Sequence, residues 1–228
     1  LIHHINLLIA NVYLIIGAKP VLVDTGAPGG AGRIQKALAQ RGVQAKELAL
    51  ILLTHGHFDH AGSAKALRDA LGVPIAVHQG DAAMVEQGDN GPLVPLGLEA
   101  NLMAPMAGSP WPGFKPDVLL DDQSDLSAYG LDARLLHTPG HSPGSISLLF
   151  PNGDAIIGDI LRGGWLGGVI APARPARPYF LPELAQVSTL RQSIQRVLDA
   201  GARRLYVGHG GPLDAEAVRR WLAGNPGL

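Results

Sequence analysis

The chain has 228 residues, enough to bury a sizeable core, with 46% hydrophobic and 16% charged residues, a balance that excludes a disordered or fibrous protein. A formal net charge of −1 gives no electrostatic pull toward nucleic acid or an anionic membrane, so a small-molecule substrate is the expected partner. There are no cysteines, so any metal must be held by imidazole and carboxylate.

The first elements read as strands: Ile5 to Ile9, Val12 to Ile16 and Pro20 to Asp24 are apolar and rich in β-branched residues. His3, His4 and Asn11 interrupt this opening stretch and no basic leader precedes it, which fits strands better than a signal peptide. No apolar run approaches the ~18 residues that cross a bilayer, and a cytoplasmic protein is expected. Helical spacing follows over Arg33 to Gln40, stopped by Gly42. Leu48 to Leu53 (LALILL) suits a strand buried on both faces, and Ala61 to Leu71 a helix ended by Gly72. Pro74 to Val77 reads as a strand, and Asp81 as the cap of a helix through Val85.

From Gly88 to Pro116 there are six prolines and five glycines, which predicts a long, lid-like loop. Strand signals return at Val118 to Leu120, Ala133 to Leu136, Ser145 to Phe150 and Ala155 to Ile157, followed by a second irregular stretch, Gly163 to Pro178. A helix is predicted from Pro182 to Ala200, a strand at Leu205 to Val207, and a helix from Asp214 to Leu222. Two strand-rich passes, each ending in helix, suggest a four-layer α/β domain over residues 1–228 with an insertion at about 88–116.

Three of the nine histidines fall within "THGHFDH". A His-x-His-x-Asp-His string arises by chance in roughly one such chain per thousand. Three neighbouring imidazoles would repel if protonated, and a bound cation resolves that conflict. His55 and His57 are two apart, so on an extended segment they face one side; Asp59 and His60 lie where the chain turns into a helix. One loop can thus serve two neighbouring metals, with Gly56 permitting its backbone shape. Four ligands do not complete two sites. His141, Asp159 and His209 each lie at or near a strand end in Gly-rich surroundings, where functional side chains sit on a rigid scaffold. His3, His4, His78 and His137 are expected in core or surface roles.

"LLTHGHFDHAG", "HTPGHSPGSISLLF", "IIGDIL" and "VGHGGP", with "VLVDTGAP" near the start, resemble the signature segments of the metallo-β-lactamase-fold hydrolases, in the same order and over nearly the whole chain. The resemblance implies an αβ/βα sandwich, two β-sheets flanked by helices, with the active site at one sheet edge. It implies that His55, His57 and His141 hold one metal, that Asp59, His60 and His209 hold a second, and that Asp159 bridges them. Asp24 matches the family's strand-end Asp, which supports the ligand loop. The cofactors implied are two divalent ions, with zinc expected and iron or manganese as alternatives.

The expected reaction is hydrolysis of an ester, thioester or lactone carbonyl by metal-bound hydroxide, with Asp59 as the residue that orients it. The alternative is a mononuclear-iron persulfide dioxygenase; a β-lactamase, a phosphodiesterase or a non-catalytic scaffold ranks lower. Low basic charge argues against the nuclease branch. Quorum-signal lactonases of this fold carry a Tyr where this chain has Arg162, a departure from that pattern. Met103, Met106, Trp111, Phe114 and Trp165 are expected either to wall the substrate site or to pack the loops and form a homodimer contact. Arg162 or Arg174 is expected to anchor a substrate carboxylate or phosphate.

Overall fold

Short apolar runs punctuated by Gly and Pro fold as strands, and the computed structural model describes them over residues 1–7, 10–165 and 170–227. The first half supplies β1 (Ile2–Asn6), β2 (Asn11–Ile16), β3 (Pro20–Val23), α1 (Ala31–Gln40), β4 (Leu50–Leu52), α2 (Phe58–Ala61), α3 (Ala64–Leu71) and β5 (Ile75–His78). It continues through α4 (Ala82–Gln87), β6 (Val94–Pro95), α5 (Leu98–Ala107) and β7 (Val118–Leu120). The second half supplies β8 (Arg134–His137), β9 (Ile146–Leu149), β10 (Asp154–Ile156), β11 (Arg162–Trp165), β12 (Ile170–Ala176) and β13 (Phe180–Leu181). It ends with α6 (Val187–Asp199), β14 (Arg204–Tyr206), β15 (Leu213–Asp214) and α7 (Ala215–Gly224).

Six strands form one sheet in the order β1-β2-β3-β4-β5-β7 and five form a second, β15-β14-β10-β9-β8. The two-residue period of each strand sorts its side chains between two cores. Val21, Val23, Leu50 and Leu52 face inward and meet Leu135, Ile146, Leu148 and Ile156 of the second sheet. Leu22, Ile51 and Leu53 face the other way and pack with Ile34 and Leu38 of α1 and Leu67 of α3. On the far side, Ala155, Leu205 and Val207 pack against Leu190, Ile194 and Val197 of α6 and Val218 and Leu222 of α7. The result is the expected helix-sheet-sheet-helix sandwich.

The strand directions place the functional loops. Strands β3, β4 and β5 run parallel, as do β10 and β14, and β8 is antiparallel to β9, which is antiparallel to β10. The carboxyl ends of β3, β4 and β5 therefore lie at one edge of the first sheet, and those of β8, β10 and β14 at one edge of the second. A backbone bond from Ile146 N to Thr54 O (2.8 Å) joins the two sheets.

Several elements differ from the sequence reading. β1 begins at Ile2, because His3 and His4 pair with Leu14 and Tyr13; residues 8 and 9 lie outside the described residues. α2 starts three residues before Ala61 and carries Asp59 and His60 on its first turn. The stretch read as a loop from Gly88 to Pro116 contains α5. Its breakers crowd the flanks, while Leu98 to Ala107 is built from Leu, Ala, Met and Glu, good helix formers, with Pro105 alone inside. Likewise the irregular stretch from Gly163 holds the antiparallel strand pair β11–β12.

Candidate metal centre

The loop after β4 brings His55, His57, Asp59 and His60 to the shared edge, and three other loops deliver His141, Asp159 and His209 to the same place. All seven expected residues come together. Single donor atoms of His55, His57 and His141 lie within 4.8 Å of one another, as do those of Asp59, His60 and His209, and of His55, His60 and Asp159. His57 Nδ1 is 2.9 Å from His141 Nε2, and His209 Nε2 lies 2.9 Å from Asp159 and 3.2 Å from Asp59. Of the seven, only Asp59 is not fully buried, and it faces the cleft.

Buried polar atoms are normally paired. Here His55 Nε2, His60 Nε2 and Asp159 Oδ1 are buried and have no hydrogen-bond partner among the described residues. These unpartnered atoms converge with the other donors, so the cluster fits one or two hard-to-borderline cations held by imidazole and carboxylate. The protonation states agree. Burial pushes His57 down to about 4 and His141 to about 3, and lowers His55 as well, so all three rings are neutral at pH 7. Burial opposes a charge on His60 too, but Asp159, Asp59 and Asp24 together raise it to about 10. Burial likewise opposes a charge on His209, and Asp159 and Asp59 raise it. In the metal-free protein, protons on these two rings thus balance the carboxylates that a cation would balance instead.

The rings are held from behind, as ligating histidines need. Asp24 accepts from Thr54 N, Thr54 Oγ1 and His60 Nδ1 (2.8, 2.8 and 2.9 Å), with its own backbone at φ 62°, a conformation costly for a non-glycine residue. Thr54 Oγ1 reaches His55 Nδ1 at 3.0 Å, and His141 Nδ1 sits 3.1 Å from the Phe180 carbonyl. From the first sheet, Asn11 Nδ2 donates to Val207 O and Gly210 O, and Tyr13 donates to Val207 O, bracing the His209 loop across the interface. Gly208 is dictated by crowding: a Cβ there would stand 2.0 Å from Asp159 Oδ1 and 2.6 Å from His60 Cε1.

Asp81 was expected as a helix cap, but its side chain makes no cap bond to α4. Its buried carboxylate accepts instead from Gly56 N (2.8 Å), Ser142 Oγ (2.7 Å) and Gly144 N (2.6 Å), tying the His55/His57 loop to the His141 loop. Burial raises this carboxyl above the usual carboxylate range, and the three donors offset that only in part. The same packing explains Gly56, whose added Cβ would meet Met84, Asp81 and Val85 at 3.0–3.2 Å; close approach, and not backbone freedom, requires glycine there. Only the Asp81-x-Gly56 register in space reveals this role. An Asp before a helix looks like a cap in any sequence.

Arg162 does not anchor substrate. Its guanidinium is buried, donates to Arg177 O and Gly164 O, pairs with Glu99 at 2.9 Å and lies 4.2 Å over the Tyr179 ring. Tyr179 donates to Glu99 as well (3.1 Å), and its ring stands 5.7 Å from that of His209. Glu99 lies in the first turn of α5, so these bonds fasten that helix over the centre. At its other end Asn90 donates to Ala107 O and accepts from Phe58 N. Arg174 is exposed. Met103 and Met106 line the cleft, whereas Trp111 and Phe114 are buried in the first core; the side chain of Trp165 lies outside the described residues. His78 and His137 stack at 4.2 Å and both face Asp122. Gly80 N donates to His78 Nδ1, which leaves that ring's proton on Nε2, the atom that would otherwise face a cation beside Asp122 and His137, so this second cluster is a poorer ligand set than the first.

The family model of the metallo-beta-lactamase superfamily matches residues 5–209, a span that holds all seven clustered residues. The chain belongs to that superfamily. Among similar proteins of the superfamily, "Probable metallo-hydrolase YflN" of Bacillus subtilis (strain 168) is 30% identical over 96% of this chain and 87% of its own length. A hydroxyacylglutathione hydrolase of Anaeromyxobacter dehalogenans (strain 2CP-C) is 31% identical over 72% of this chain and 50% of its own. The crystal structure of TTHA1623 in a di-iron-bound form superposes with a TM-score of 0.67 at 26% identity, covering 96% of this chain and 97% of that one. No helix among the described residues is long and apolar enough to cross a membrane.

Proposed function

We propose that the chain is a binuclear metallohydrolase, with zinc as its resident ion, that cleaves an ester, thioester or lactone carbonyl. The observation that carries this reading is the convergence of seven imidazole and carboxylate side chains, three donor atoms among them orphaned, at the floor of a cleft. His55, His57 and His141 would hold one ion, Asp59, His60 and His209 the other, and Asp159 would lie between them. Such ions lower the pKa of a bound water toward ~7 and polarise a carbonyl.

The chain's own residues supply the rest. Asp59 lines the cleft, and although burial works to raise its carboxyl, His60 and His209 bring it down to about 2. It is therefore ionised at neutral pH and placed to orient the attacking water by accepting its hydrogen bond. Tyr179 and Phe180 close the wall beside His209 and His141, and α5 shields the floor from bulk water. Similarity to metallo-hydrolases and to a hydroxyacylglutathione hydrolase, which cleaves a thioester, supports the hydrolytic class. Replacing His57 or Asp159 with Ala should remove bound metal and abolish turnover of ester, thioester and lactone substrates. Unchanged turnover in either variant would refute the assignment.

A further inference from the structure

The cleft above the seven residues is shallow, with a cavity volume of about 30 Å³, well below that of sites that enclose a whole ligand, so a substrate's chain must extend past its mouth. Its walls are Phe58, Leu93, Met103, Met106, Ala107 and Phe180. Three polar groups also border it beyond the floor or stand just behind it, and each is committed to the protein. Asn90 spends its amide on Phe58 N and Ala107 O, Tyr179 donates its hydroxyl to Glu99, and Arg162 directs its guanidinium to Glu99 and two carbonyls. No Lys or Arg is among the described residues that line the cleft. Among the described lining residues charge is thus confined to the floor, and the walls are predominantly apolar.

We infer that the substrate carries its reacting carbonyl on an uncharged, apolar acyl group, and that α5 is the element that selects it. This rests on the hydrolase reading above. Met103 and Met106 both come from α5, and methionine adapts to chains of differing shape. Met106 is 42% exposed at the mouth, and Leu102, one turn earlier on the same helix face, is 77% exposed. The apolar wall therefore runs out of the cleft along α5, where an acyl chain too long for the cavity would lie. An acyl group ending in a carboxylate or ammonium would set that charge against Met103 and Met106, where no described lining residue pairs it, which is costly.

The test uses the full metal-loaded chain and N-acetylcysteamine thioesters, which share one leaving group and differ in acyl part: acetyl, butanoyl, hexanoyl, and adipoyl, the six-carbon counterpart ending in carboxylate. Each buried methylene can contribute up to about fourfold in kcat/KM, so hexanoyl should exceed acetyl by at least about tenfold. Adipoyl should fall at least about tenfold below hexanoyl, since a desolvated charge costs more than a methyl group gains. A Lys at the mouth should reverse part of this, and Met106→Lys should narrow the hexanoyl-to-adipoyl ratio at least about fivefold. Binding gives a second readout: affinity for the non-hydrolysable ketones 2-butanone, 2-hexanone and 2-octanone, followed by saturation-transfer NMR, should rise along the series. A flat thioester series, a preference for adipoyl, or a ratio unmoved by Met106→Lys would overturn the inference while leaving the hydrolase reading standing. Failure to cleave any thioester, ester or lactone, with the ketone series still rising, would sink the hydrolase reading and leave the apolar site.

Discussion

Replacing Asp81 with Asn should loosen the metal centre from behind without touching any clustered side chain. The carboxylate accepts Gly56 N and Ser142 Oγ on one oxygen and Gly144 N on the other. An asparagine keeps one oxygen, and its amide hydrogens must face a donor on the other side. In the better orientation Gly56 and Ser142 keep their acceptor and the buried Gly144 N–H loses its own. Losing one bond to a charged group costs about 1.5–3 kcal/mol, and stranding a buried donor about 1–3 kcal/mol more. The expected loss is therefore about 3–5 kcal/mol, a large part of the ~5–15 kcal/mol that holds a domain together. Ser142→Ala removes the hydroxyl's bonds to Asp81 and Ser145 but strands no buried backbone donor of the Asp81 cluster, and should cost about 1.5–3 kcal/mol. Because Asp81 fixes the loops of His55, His57 and His141, metal affinity should also fall about 10–100-fold. Urea unfolding of the metal-free chain measures the first quantity, and competition with a chromogenic chelator the second. An Asp81→Asn protein within about 0.5 kcal/mol of the parent, with the same metal affinity, would show that Asp81 does not hold the two loops together.

Gly208→Ala places a Cβ 2.0 Å from Asp159 Oδ1 and should displace that carboxylate, so metal stoichiometry should drop while far-ultraviolet circular dichroism is retained; full occupancy would show that the loop yields. His60 is raised to about 10 from the usual 6.5 in the metal-free protein. Its stabilising contribution is complete below pH 6.5 and is lost as pH rises through about 10. The urea midpoint of the metal-free chain should accordingly fall between pH 7 and 10, whereas the metal-loaded chain should not show this fall; parallel profiles would argue against it. Arg162→Met breaks the fastening of α5 at Glu99 and Tyr179. It should speed hydrogen exchange in α5 and raise KM several-fold with metal content retained, and unaltered exchange would contradict that role. Lys should not rescue it, because a single ammonium cannot reproduce the forked contacts.

Much of this was legible in the chain itself. The two-residue alternation in "PVLVD" and "LALILL" sorts side chains between two cores, which is what a doubly covered sheet requires. The ligand-type residues stood out because seven imidazole and carboxylate groups at strand ends have few other uses together. What stayed hidden depends on contacts distant in sequence. Asp81 bonds to partners 25, 61 and 63 residues away, and nothing in "HQGDAAM" announces them. Arg162 looked like a free cation because its partners, Glu99 and two carbonyls, lie on elements that the Gly/Pro count had erased. The aromatic residues after α5 could not be told apart from its methionines by composition. Only packing separates Trp111 and Phe114 in the core from Met103 and Met106 on the cleft.

On the proposed binuclear reading, hydrolysis needs two metal ions and not one. Zinc is added stepwise to the metal-free chain, with bound metal and hydrolysis of an ester, thioester and lactone panel measured on the same sample. Turnover should appear as the second equivalent binds and saturate at two ions per chain. Full activity at one ion per chain, or a native preparation carrying a single iron and consuming oxygen, would contradict it.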